Sequence, residues 1–417
     1  MTDRDILRGL AARWMDIALR PVMEERERAW TAIKDLRATR TMVLFETWTL
    51  LDYVGEEELQ CVEPWHRGIE KHLRWVIRHA EEVGDDLLVE PFWGIGWQIH
   101  GTDYGVPIVA HHAADELGAT VGYSFNHPLK TPEDVGLLRK RSWSVDRPGT
   151  YRTLEAVDAL FGDILPPRLT GVRGIHAGLT GDLFRLIGND NLMVWVYDHP
   201  EAVRSVMAYL ADDRLDHYRW LEAEGLLGLN NDYTIMGSGS PGCTTALPQA
   251  DYAGTARLKD LWIWMESQES AGISPRMFAD LFLPDMARVA AEFGLVYYGC
   301  CEAVHDRWDA IISAMPHVRA VSVSPWCDIP DLAKRIAGKV VISRKPTPGP
   351  ISGERADWEA LRDDLRYTIE SARGCGLEFI FRDVYRIDND RSRLRRWVEM
   401  AREMIAEEAA SPVPVTA

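Results

Sequence analysis

The sequence is poor in the features that define several protein classes. It has only six cysteines in 417 residues, too sparse for a disulfide scaffold and in keeping with free or metal-bound thiols in a reducing compartment. No apolar run approaches the roughly 18 residues that a membrane span needs. Lysine and arginine number 47 against 64 aspartate and glutamate, a net charge of −17. That balance excludes an electrostatic nucleic-acid binder and docking on an anionic membrane. The opening Met1-Thr2-Asp3-Arg4-Asp5 has no basic segment leading into an apolar one, so no secretory signal is expected and a cytoplasmic protein is. There is no internal repeat and no low-complexity segment. No Gly-x-Gly-x-x-Gly follows the first strand, and Gly237-Ser238-Gly239-Ser240-Pro241-Gly242 lacks the Lys-Ser or Lys-Thr of a phosphate loop.

The chain does have apolar residues, at 46%, and regular alternation. Arg4 to Arg20 and Trp65 to Val83 carry helical spacing. Thr41 to Phe45 and Asp86 to Phe92 read as strands. From residue 170 onward strand and helix alternate, with strands expected at Val172–Ala177, Leu229–Met236, Leu261–Glu266, Leu295–Tyr298, Val318–Val323, Lys339–Ile342 and Glu378–Phe381. Helices are expected between them, including Pro200–Ala223 and one spanning Pro275 to Phe293. Alternation of this kind demands a parallel sheet with crossovers, either an open doubly wound sheet or a barrel.

The strand ends favour a single (β/α)₈ TIM-type barrel. In such a barrel the loops after the strands build the site, and here those ends read Glu46, Pro91-Phe92-Trp93, Gly178, Asn230-Asn231-Asp232, Glu266, Cys300-Cys301-Glu302, Ser324-Pro325-Trp326, Ser343-Arg344-Lys345 and Arg382-Asp383. The expected division is a helical extension over 1–40, the barrel over 41–408 and a flexible tail over 409–417.

The chemistry is expected around Tyr298-Gly299-Cys300-Cys301-Glu302. Thiolates and a carboxylate suit Zn²⁺, although adjacent side chains on extended backbone diverge, so one cysteine is the better ligand. The alternative is a pair of buried small apolar residues. Glu266 ends an apolar strand and suits a metal ligand or a general acid or base; Gln268 and Glu269 follow it. Asn231, Asp232 and Tyr233 suit a polar substrate, or are ordinary turn residues, and the glycine-rich stretch behind them suits a mobile loop over a site. Arg344 and Lys345 suit a carboxylate or phosphate. Asp383 is a further ligand or base. Trp93, Trp97 and Trp326 suit the wall of an apolar pocket.

These residues resemble the uroporphyrinogen decarboxylase superfamily. The likeness rests on GLTGDLFRLIGNDNLMVWVYDHP over 178–200, LNND and GSG over 229–239, ESQE over 266–269, YGCCE over 298–302, SVSPW over 322–326 and SRKP over 343–346, with the closing strand and helix. The resemblance implies one of two chemistries. The tetrapyrrole decarboxylases use an arginine-rich N-terminal segment, where this chain reads Phe45-Glu46-Thr47-Trp48. The zinc- and corrinoid-dependent methyltransferases use His-x-Cys and a distant Cys; this chain has Tyr298 and Cys300 at the first two positions and no Cys near Arg382-Asp383.

The leading expectation is therefore a methyltransferase that moves a methyl group from a small O-, N- or S-methylated molecule to cobalamin. With no Asp-x-His-x-x-Gly segment, the cobalamin would sit on a separate carrier protein. Zinc would be held by Cys300 or Cys301 with Glu266 or Glu302 as Lewis acid. The alternative is a lyase that decarboxylates a small aromatic or heterocyclic acid. A third reading is a non-catalytic ligand-binding barrel. The resemblance also implies a homodimer.

Overall fold

The structure, a computed structural model, describes residues 2–114, 120–336 and 338–410. Residues 411–417 of the expected tail lie outside the described residues, and Ala409 and Ala410 still belong to the last helix, Ser392–Ala410.

The core is a parallel sheet of seven strands: β1 (Met42–Phe45), β2 (His176–Ala177), β3 (Trp262–Met265), β4 (Leu295–Tyr298), β5 (Val318–Val323), β6 (Val341–Arg344) and β7 (Leu377–Phe381). Their spatial order is β1-β7-β6-β5-β4-β3-β2. From β2 to β7 sequential strands are thus neighbours, and the first lies beside the last in the register Met42–Glu378 to Phe45–Phe381. This is the cyclic order of a barrel, but among the described residues no ladder joins β1 to β2. Asp86–Phe92, expected as a strand, is irregular apart from one ladder-like bond, Asp86 N–H to Val43 O at 2.9 Å. The cause is local. The Asp86 and Asp85 carboxylates accept the amides of Val43 and Phe45 at 2.8 Å each, taking the donors a neighbouring strand would have paired.

Successive residues on each strand face opposite ways. Val43, Phe45, Ile263, Met265, Tyr298, Val321, Phe379 and Phe381 pack into the large core with the flanking helices. Met42, Leu44, Trp262, Tyr297, Ala320, Val341 and Ile380 form the other face, which packs against Met236, Cys243 and Leu247. A short hairpin, Ile235–Met236 against Ser240–Pro241, therefore fills the side of the sheet that the crossover helices leave open. The helix Pro21–Lys34 closes one end of it through Trp30 and Ile33.

The strand expected at Leu229–Met236 is instead a loop ending in the hairpin arm Ile235–Met236, outside the seven-stranded sheet; elsewhere the expected elements form with shifts at their ends. The helix expected over Pro275–Phe293 is two helices, Pro275–Leu281 and Leu283–Ala290, because Pro284 has no N–H to continue the ladder. The helix Asp3–Ala18 starts with a reciprocal Thr2–Asp5 cap and packs with Pro64–Glu82 and Arg147–Phe161 around a smaller core.

Candidate active site

Two strand ends bring the first pair of groups together. Glu46 follows β1 and Arg382 follows β7, and the paired registers place the Arg382 Nε 3.4 Å from Glu46 Oε2. Glu46 is 5% exposed, and neither carboxylate oxygen has a hydrogen-bond partner. Burial pushes its carboxyl up to about 7, with Arg382 pulling against the shift. Arg382 also donates to Ser238 Oγ and lies 3.5 Å from Asp383. Asp383 takes a positive φ of 61° at the rim and is about one-third exposed.

Ser238 is the tip of the hairpin. Its flanking glycines are there because nothing larger fits. A Cβ at Gly239 would stand 2.6 Å from Ile380 Cγ2 and 2.8 Å from Glu46 Oε2, and one at Gly237 would overlap the Tyr297 ring; both glycines have positive φ. The expected mobile loop over a site is therefore a buried insert that carries Ser238 up to the site from beneath.

The second group follows β4. Gly299, at φ 94°, turns the chain so that Cys300 is buried while Cys301 is exposed, with the sulfurs 3.7 Å apart. The thiol contact with Cys301, then burial, raises Cys300 well above the usual thiol range, and the same contact holds Cys301 below it. Ser238 Oγ lies 3.9 Å from Cys300 Sγ. Glu302 turns back under the loop and accepts the amides of Ser267 at 2.8 Å and Cys300 at 2.9 Å. Burial, with Glu266 adding to it, pushes Glu302 up to about 7.

Glu266, after β3, accepts the Gln268 amide at 3.0 Å and lies 3.4 Å from His176 Nε2. His176 stacks on Trp264 with ring centres 4.1 Å apart. Gln268 donates to Glu269, which also accepts from Thr180 at 2.8 Å. Burial and then Glu266 raise the Glu269 pKa. Beside these groups lies a cavity of 370 Å³ lined by Glu46, Trp48, His176, Ile235, Trp264 and Arg382.

Several expected site residues lie elsewhere. Tyr298 points into the helix-side core, its hydroxyl buried without a partner. Arg344 points the same way. It braces the helix Trp358–Ser371 through Asp364 at 2.5 Å and Thr368 at 3.1 Å, and holds the Ser324 carbonyl at 2.7 Å. Lys345 does face inward but is spent on Tyr297 at 2.9 Å and Ser343 at 2.7 Å, and burial lowers it to about 7. Asn231, Asp232 and Tyr233 lie toward the opposite end of the sheet, where Asn230 accepts the amide of Trp262, the first residue of β3. Asn231 donates to Leu247 O at 2.8 Å, Asp232 pairs with Arg173 at 3.1 Å and Tyr233 donates to Glu27 at 3.0 Å. Trp93 packs against Trp14, His72 and Phe161 in the small core.

The zinc ligand set expected from Cys300, Cys301, Glu266 and Glu302 is not assembled. Glu302 and Glu266 are turned to backbone amides, and among the described residues no three His, Cys, Asp or Glu side chains are grouped to hold a metal ion. Reading strand ends singled out Glu46 and Arg382 only as positions. It missed that they pair, and it missed Ser238, His176 and Trp264 as neighbours.

Neither a protein-family model nor a curated protein matches the chain. Among solved structures, a methyltransferase from Methanosarcina mazei overlaps 72% of this chain and 76% of its own, at 11% identity and a TM-score of 0.37. An identity and TM-score that low show neither a family nor an activity.

Proposed function

We propose that this chain is an enzyme that decarboxylates a small aromatic or heterocyclic carboxylic acid, using its own acid–base groups. The observation that carries the reading is Glu46: a buried carboxyl with no hydrogen bond to either oxygen, 3.4 Å from the Arg382 guanidinium, in the lining of a cavity. A carboxyl with a pKa of about 7 is half protonated near neutrality, which suits a proton donor. Arg382 draws in the anionic substrate, and Trp264, Trp48 and His176 offer ring faces to it. The bond to the carboxylate breaks, CO₂ leaves, and its electron pair stays on the ring carbon. The Glu46 O–H then protonates that carbon, and water restores the proton to Glu46. The cavity, near the low end of the roughly 300–1,000 Å³ usual for ligand pockets, suits one ring and not a tetrapyrrole. Behind this reading stands the resemblance to the uroporphyrinogen decarboxylase superfamily, with Asp86–Phe92 in the place of the eighth strand of a (β/α)₈ barrel.

A second reading is methyl transfer to a cobalamin carrier protein. It is favoured by Cys301, an exposed thiol at a strand end held below the usual range. In its zinc-assisted form it needs a donor set that the described residues do not present. The deciding experiment offers purified protein a panel of small aromatic acids while released CO₂ is measured, and in parallel a panel of methylated donors with a reduced corrinoid carrier, with metal content determined on wild type, Cys300→Ser and Cys301→Ser. Release of CO₂ that Glu46→Gln abolishes supports the lyase. Carrier methylation with about one zinc per chain, lost in one cysteine variant, replaces it with the second reading.

A further inference from the structure

A second cavity lies away from this site. It has 650 Å³, between the helices Pro21–Lys34, Trp358–Ser371 and Ser392–Ala410, where β1 and β7 begin. Four arginines line it, Arg26, Arg40, Arg373 and Arg402, against Glu25, Asp86 and Glu408. In a chain of net charge −17 this is a local excess of positive charge. Arg373 is paired with Glu408 at 2.5 Å. Of the other three, Arg40 and Arg402 gather on a single buried carboxylate, Asp86.

Arg40 holds both Asp86 oxygens at 2.9 Å and Arg402 holds one at 3.1 Å. Asp86 is already engaged with the Val43 amide. Arg26 gets no carboxylate; it donates to the Leu87 carbonyl at 2.7 Å. Burial, opposed by Asp85 and Asp86 and aided by the neighbouring arginines, lowers its pKa. Arg26 is half-buried, with no carboxylate of its own, and a guanidinium fork fits a planar or tetrahedral oxyanion better than a carbonyl. Ile369, Ala372, Leu377 and Ile405 give the wall an apolar part, beside Thr39 and Thr41.

We propose that this cavity is a second ligand site, which takes a small organic oxyanion, its phosphate or carboxylate head on Arg26 and Arg402 and its apolar body against Ile369 and Ile405. Because Asp86 ties Arg40 and Arg402 to the Val43 amide of β1, and β1 ends at Glu46, the ligand would share a strand with the site above.

The test uses the full chain and three probes: phenyl phosphate, phenylacetate and inorganic phosphate, followed by calorimetry. Either aromatic anion should bind below about 1 mM, with inorganic phosphate weaker. Arg26→Gln and Arg402→Gln should each weaken the bound probe about tenfold, while Glu46→Gln leaves it unchanged. Tighter binding of phenyl phosphate marks a phosphate ester, and of phenylacetate a carboxylate. On wild type, the same probe should protect Arg26 and Arg402 from phenylglyoxal, read by mass spectrometry, which needs no variant to fold. Absence of binding by all three probes, equal binding of inorganic phosphate, or protection of Arg382 in place of Arg26 and Arg402 would overturn the proposal.

Discussion

Glu46 and Arg382 stand one residue beyond Phe45 and Phe381, which are partners in the ladder between the first and last strands. Their 3.4 Å separation is thus set by backbone register and not by flexible loops, and a site built on strand ends is held more tightly than one on loops. Glu46→Gln keeps the shape and removes the proton. The expected loss in kcat is about 10²- to 10⁴-fold, with secondary structure unchanged by circular dichroism. Wild-type kcat should fall as pH rises through about 7, where Glu46 gives up its proton. A rate that is flat from pH 5 to 9 would remove Glu46 from the acid's role.

The same group makes a statement about stability. Its folded pKa of about 7 stands above the ordinary glutamate value of 4.5, so folding favours the protonated form. That contribution is fully present below about pH 4.5 and is lost as pH rises through about 7. Glutamine mimics the protonated carboxyl. Urea unfolding should therefore show Glu46→Gln close to wild type at pH 5 and more stable than wild type at pH 8, by about 1–3 kcal/mol. A variant less stable than wild type at pH 8 would mean that the Arg382 pair outweighs burial.

Gly239 carries the hairpin past Glu46. Its φ is 83°, and an added Cβ would press on Ile380 and on the Glu46 carboxylate. Gly239→Ala should cost about 3 kcal/mol or more, seen as a lower urea midpoint. Ala at Gly84, also at positive φ but with open space around it, should cost about 1 kcal/mol, which separates the close approach from the backbone strain.

Arg344 gives a contrasting expectation. It is 2% exposed and bonded to Asp364, Thr368 and two carbonyls. Arg344→Met leaves the Asp364 carboxylate without its cation, while the Val323 and Ser324 carbonyls keep the amides of Lys345 and Cys327, and should destabilise by about 3 kcal/mol. Whatever protein remains folded should keep its KM. A raised KM with unchanged stability would return Arg344 to the substrate.

Arg344 and Lys345 also show where the sequence stops speaking. Strand ends can be read from composition, and that reading reaches Glu46, Glu266, Cys300 and Arg382. Which of two neighbours faces inward depends on a period-2 register that a shift of one residue inverts; Tyr298 and Arg344 turned out to face the helices. Asp86–Phe92 has strand composition, but its two carboxylates take the very amides a ladder needs. Leu229–Met236 reads as strand-like in the sequence. In the structure it is a loop and a hairpin arm inside the fold, a placement decided by long-range packing that no local pattern encodes. That is why Ser238 was missed.

The two adjacent thiols should behave as different reagents. Reactivity follows thiolate fraction and access. Cys301 is exposed and sits below the usual thiol range; Cys300 is buried and pushed far above it. The shifts are reciprocal, because each arises first from the 3.7 Å contact between the sulfurs. Brief treatment with iodoacetamide at pH 7 should therefore label Cys301 alone, as read by peptide mass spectrometry. Cys301→Ser should not transfer the label to Cys300, which stays buried against Ser238. Cys300→Ser removes the thiol that stabilises the Cys301 thiolate, so labelling of Cys301 at pH 7 should slow, and the pH at half-maximal rate should move up toward an ordinary cysteine's. Prompt labelling of Cys300 in the wild type would show that the loop after β4 opens, and the buried environment assigned to Cys300 would then be wrong.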